Sequence, residues 1–143
     1  MMVKGFQTLI RMGEWAVDEK RRSLGVLLRQ FDELQNNLDN LEQELIVEQN
    51  AAAAAPHEAG SNYGPYAAAV ISRREDLNRS IEMMDTQIVS AREDLSDAYL
   101  ELKKYEVAEI KRHQRETEEI DRREQSVLDD IGLEIARHRG NHR

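Results

Sequence analysis

Apolar side chains recur along this chain at the spacing of a long, two-faced helix. Stepping by seven from Val3 gives Val3, Ile10, Val17, Leu24, Phe31, Leu38 and Leu45, all apolar. The positions three residues further on are Phe6, Gly13, Lys20, Leu27, Leu34, Leu41 and Glu48, of which four are apolar. A first-and-fourth pattern kept over seven heptads predicts a coiled-coil seam. A globular helix would carry a wider apolar stripe. The pattern is strongest from Leu24 to Leu45, where Asp32, Glu33, Gln35, Asn36 and Asn37 fill the outer face.

The pattern stops in residues 50–65. Five alanines extend the first helix to about Ala54, and Pro56 then withholds an N–H and disfavours helical backbone in the residue before it. Gly60, Gly64 and Pro65 complete a predicted turn, and both prolines of the chain lie within it. Periodicity resumes beyond Pro65, a residue suited to a helix start. The second seam reads Leu77, Ile81, Met84, Ile88, Ala91, Leu95, Ala98, Leu102 and Tyr105, alternating steps of four and three. After Tyr105 the phase shifts. Ile110, Ile120, Val127 and Ile131 follow one residue out of step, which marks a discontinuity in the supercoil.

Two seams flanking one break predict an all-α fold, an antiparallel coiled-coil hairpin with the second helix longer. The expected boundaries are helix 1 at about 3–54, a turn at about 55–65 and helix 2 at about 66–138, in one domain covering 1–143. The seam is assigned to Leu24, Leu27, Phe31, Leu34, Leu38, Leu41 and Leu45 against Ile88, Leu95 and Leu102. A reversal near Gly60 sets Leu45 opposite residues 73–77, Phe31 near Ile88 and Leu24 near Leu95. Residues beyond about 115 then have no partner within the chain, and residues from His138 onward are expected to fray.

Composition narrows the function classes. Aromatics are only 5% and charged residues 34%, a balance that suits a narrow seam better than a broad globular core. The net charge of −8 argues against nucleic-acid binding, which needs a basic surface. There is no cysteine, so disulfides and thiolate chemistry drop out. No apolar run approaches the roughly 18 residues of a membrane span, so no direct membrane insertion is expected. Met1 to Trp15 lacks a long apolar core followed by small residues, so a secretory signal is not expected either.

Candidate chemistry is sparse. Carboxylates on a coiled coil face water, with no pocket to perturb them. Among His57, His113, His138 and His142 only the last two are four apart, in the tail. No glycine-rich phosphate loop is present. The expectation is a protein that is not an enzyme, with no cofactor and no metal site.

The apolar residues off the seam suggest binding instead. Heptad phase points Trp15 outward, with Met12 and Leu28 flanking. Met83, Leu100 and Val107 also point away from the first helix. Most such residues are ordinary surface. Trp15 is the only tryptophan, and exposed aromatics are enriched in binding hot spots. Tyr63 and Tyr66 beside the turn are weaker candidates that could equally cap the hairpin tip.

A set of short motifs runs the length of the chain: Leu9-Ile10-Arg11 heading into Trp15 to Lys20, Leu24-Gly25 before the first long heptad run, and Leu38, Leu41, Glu42 and Glu44. Others are Glu48-Gln49 ahead of the break and Tyr66, Leu77, Ile81 and Ile88 after it. The tail adds Tyr105-Glu106, Arg115-Glu116, Arg122-Arg123-Glu124-Gln125 and Leu128-Asp129-Asp130. Taken together, these make the chain resemble the flagellar FliJ family of type III export proteins. The resemblance implies an antiparallel two-helix stalk, similar to the central stalk of rotary ATPases. It implies a cytoplasmic protein, peripheral to the inner-membrane export apparatus. Its terminal end would enter the ring of the export ATPase, near Met12 and Trp15. Another surface, around Leu77, Ser80, Ile81 and Met84, would meet the membrane-embedded export gate, and emptied export chaperones would be recycled. In the patch expected to meet the gate, Arg73 stands one turn before Leu77 where the family often has an aromatic. The equivalent stalk of a virulence injectisome, and a generic coiled-coil scaffold that pairs its seam between chains, remain alternative readings of the same residues.

Overall fold

The computed structural model describes the backbone of residues 2–141 and the side chains of 5–55 and 63–140. It contains helices α1 (Met2–Ala54) and α2 (Pro56–Asn141), which pack against each other, with no strand among the described residues. The all-α reading from the heptads holds, and α2 is the longer helix.

The interruption is shorter than expected. Only Ala55 stands between the helices, and its N–H still donates to the Ala51 carbonyl at 3.1 Å. Residues 56–65, expected as a turn, belong to α2, and Pro65 lies inside it. The break falls where the physics is most local. Pro56 cannot donate to the preceding turn, yet as the first residue of a helix it has no need to. No glycine among the described residues takes a positive φ, so Gly60 and Gly64 do not build a turn. At the other end α2 continues to Asn141 rather than fraying at 138, with His138 and Arg139 in its last turn, where cations suit the helix dipole.

Contacts group the chain into two units, Trp15–Tyr99 and Met1–Glu14 with Leu100–Arg143. Within Trp15–Tyr99 the helices run antiparallel. Lys20 and Leu27 share a groove with Ala91 and Asp94, while Leu41 and Glu44 share another with Arg73 and Leu77. Numbers that rise along α1 fall along α2. Oε1 of Glu42 lies 3.9 Å from Nε of Arg74, an ion pair reaching across the helices but too long for a hydrogen bond. The core of this unit is thin: Val17, Leu41, Val70 and Ile88 are buried. Leu24, Leu27, Phe31, Leu34, Leu38, Leu45 and Leu95 are half-buried, as a two-stranded seam requires. Lys20 and Glu48, the charged misses in the heptad, are exposed.

In the second unit Leu102 is buried against Gly13, and Phe6, Ile10, Tyr105 and Ala108 are half-buried. The expected seam position Val3 lies outside the described side chains.

Candidate protein-binding surfaces

Trp15 sits on continuous helix, two residues before buried Val17. Two residues turn the side chain by about 200° around the axis, so a rigid seam position aims the indole outward. It is 66% exposed. Met12, in the other unit, is 61% exposed. The outward reading of both residues from heptad phase is correct, as it is for Leu28, Met83, Leu100 and Val107.

The patch around Leu77 divides. Ser80 is exposed, but Leu77, Ile81 and Met84 are half-buried on the seam side of α2. Their spacing had already placed them in the seam, so only their outer edges are open to a partner. Met83, one turn from Ser80, adds exposed apolar surface there.

At the start of α2 the rings of Tyr63 and Tyr66 lie 6.5 Å apart. Desolvation, then the neighbouring Glu48 and Glu44, push the Tyr66 hydroxyl above its ordinary value. Both rings are half-buried.

Near the shifted phase, Arg112 has a side chain only 13% exposed. Its Nη2 donates to Oε1 of Glu109 at 2.7 Å, and its Nη1 donates to Oε1 of Glu116 at 2.9 Å. The hydrogen bond from Arg112 holds the Glu109 carboxyl below its ordinary value, against the opposing effect of desolvation. The Tyr105 hydroxyl donates to Oε1 of Glu101 at 2.9 Å, which raises its pKa.

Every residue from His113 to Gly140 is exposed. This is the unpartnered stretch that the sequence places beyond about 115. It carries large apolar side chains in the open, among them Ile120, Val127, Leu128, Ile131 and Ile135. Ion pairs on its own surface, such as Arg123 with Glu119, support the helix by a few tenths of a kcal/mol each, roughly.

Two buried positions escape a reading by composition. Gly13 looks like a lapse in the heptad, yet it is buried and packs directly against Leu102, with little room to spare for a side chain. Val70 is 3% exposed. It lies one heptad before Leu77, so the signal was present, although the second seam is read only from Leu77 onward.

No group of three or more His, Asp or Glu residues among the described ones could hold a metal. Among the described residues no helix is long and apolar enough to cross a membrane. What the surfaces offer is exposed aromatic and aliphatic side chains on long helices, which is the chemistry of protein contact.

A family model described as "Flagellar FliJ protein" matches residues 2–141, nearly the whole chain. The chain belongs to the FliJ family. No curated protein and no solved structure matches it. FliJ proteins are non-catalytic components of flagellar export, so the role of this chain is export-associated. The FliJ match spans both helices, including the exposed stretch after His113.

Proposed function

We propose that this chain is the stalk of the flagellar export apparatus, binding the export ATPase ring and coupling it to the export gate at the cytoplasmic face of the inner membrane. The observation that carries the reading is Trp15, a solitary tryptophan 66% exposed on an uninterrupted helix. A large aromatic held in the open gains little from folding and much from a partner's pocket. The ATPase contact is assigned to Trp15, and Met12, in the other unit, is a separate candidate for it. The gate contact is assigned to Ser80 and the open edges of Leu77, Ile81 and Met84. Handling of emptied export chaperones is a second use of the same apolar surfaces. Family membership favours the flagellar system over an injectisome, and the chain's own antiparallel pairing disfavours a scaffold that uses its seam between chains.

The test is titration of the purified export ATPase with the full-length chain and with Trp15→Ala. The variant should keep its helicity and melting temperature while losing on the order of 1–2 kcal/mol of binding, as truncation of an aromatic hot spot does. Equal binding by the two proteins would remove the ATPase contact from this surface. Early melting of the variant would make the indole a packing residue instead.

A further inference from the structure

The exposed stretch of α2 contains a symmetric apolar stripe. At about 100° per residue, positions 120, 124, 127, 128, 131 and 135 fall on one face of the helix, within an arc of roughly 100°. Five of them are Ile120, Val127, Leu128, Ile131 and Ile135, each 50% exposed or more. The spacing of the set is symmetric about the Val127–Leu128 step: Ile120 mirrors Ile135 and Val127 mirrors Leu128, and Glu124 is the one charged position, mirroring Ile131. A surface that maps onto itself under reversal is what a two-fold, isologous helix pair needs.

We propose that two copies of this chain pair through this stretch, antiparallel, with Val127 and Leu128 at the two-fold axis. Charge selects this occupant. Asp130 and Glu134 are like charges one turn apart, and neither makes an ion pair among the described residues. Arg123 lies on the same flank of the stripe. In the antiparallel register it comes level with the step between Asp130 and Glu134 of the second copy, and symmetry repeats the pairing. At present Arg123 holds only Glu119, an exposed pair worth little that a second copy can outbid. Glu124 stands in the middle of the stripe and keeps the association weak and reversible. This pairing goes beyond the stalk reading and does not depend on it.

The test is sedimentation equilibrium of the full chain from micromolar to submillimolar concentration. A monomer–dimer equilibrium is expected. Arg123→Glu should weaken it about tenfold or more, since like charges then meet twice, and by more than Arg123→Gln, which loses the same Glu119 pair without adding repulsion. Adding Glu134→Arg to the Arg123→Glu variant should restore most of the loss, and Glu124→Leu in the native chain should tighten the dimer. Because the chain lacks cysteine, Val127→Cys should form an intermolecular disulfide under mild oxidation, whereas Leu133→Cys on the opposite face should not. A monomer at all concentrations would overturn the proposal. So would a dimer indifferent to Arg123→Glu, or cross-linking equally efficient at 127 and 133, because either places the interface elsewhere.

Discussion

Gly13 and Leu102 pack in close contact: a Cβ added to Gly13 would stand 3.1 Å from Cδ1 of Leu102 and 3.4 Å from its Cα. Two effects oppose each other when Gly13 is replaced. Alanine favours helix over glycine by about 0.5–1 kcal/mol. The Cδ1 contact is tight, but it involves the free end of a flexible side chain. Gly13→Ala should therefore change stability by less than about 1 kcal/mol in either direction. Gly13→Val adds two methyls against Leu102 and should cost about 1–3 kcal/mol by overpacking. Chemical denaturation of both variants checks the order.

Leu41 is 2% exposed, the most deeply buried side chain described, whereas Leu34 one heptad earlier is only half-buried. Leu41→Ala should cost about 2–4 kcal/mol, and Leu34→Ala roughly half as much, because fewer neighbouring atoms are abandoned. Leu34→Asp and Leu95→Asp should each cost more than the alanine change at the same site, since a half-buried charge without a partner adds a desolvation penalty. Melting followed by circular dichroism ranks the set. Equal losses at 34 and 41 would contradict the burial pattern.

Acid should weaken the unit that holds Arg112. The carboxyl of Glu109 titrates below its ordinary value of 4.5 in the folded protein because Arg112 donates to it. A depressed carboxylate stabilises the fold fully above its unfolded value and progressively less as pH falls through its folded one. The loss should begin near pH 4.5 and deepen below it. Glu109→Gln should flatten this acid limb and leave stability above pH 6 little changed beyond the lost ion pair. Unfolding measured across pH 3 to 7 for both proteins makes the comparison.

The single tryptophan offers a direct optical check. An indole 66% exposed should emit red-shifted and be quenched readily by iodide in the free protein. Binding of the export ATPase should shift the emission to the blue and protect it. A blue-shifted, unquenched spectrum before any partner is added would defeat the exposed placement.

Most of the fold was legible because a coiled coil writes its contacts as a period. Leu24, Phe31, Leu38 and Leu45 announce one face, Ile88, Leu95 and Leu102 the other, and the structure shelters all seven. The turn was not legible. Pro56, Gly60, Gly64 and Pro65 invite one long loop, but a proline at the first helical position costs nothing and glycine tolerates helical φ, so only Ala55 stands outside the helices, and Pro65, with no N–H to donate, leaves one bond missing inside α2. Gly13 counts as a non-apolar position in the heptad because periodicity scores hydrophobicity, while close packing can need the absence of a side chain. The exposure of Trp15 followed from phase. The partner it meets does not follow from phase, since an outward ring carries no address. Leu77, Ile81 and Met84 show the limit from the other side, because one spacing had to serve both the seam and a contact surface.

The exposed run from His113 to Gly140 bears on how the protein responds to heat and proteases. About 40 Å of helix stands on backbone hydrogen bonds and surface ion pairs, without buried side chains to make its loss cooperative with the rest. Its amides should exchange with deuterium well before those around Leu41 and Ile88, and added salt should hasten that exchange by screening Arg123 from Glu119. Unfolding is then graded rather than all-or-none. A single melting temperature would describe the seam while missing the segment that opens first.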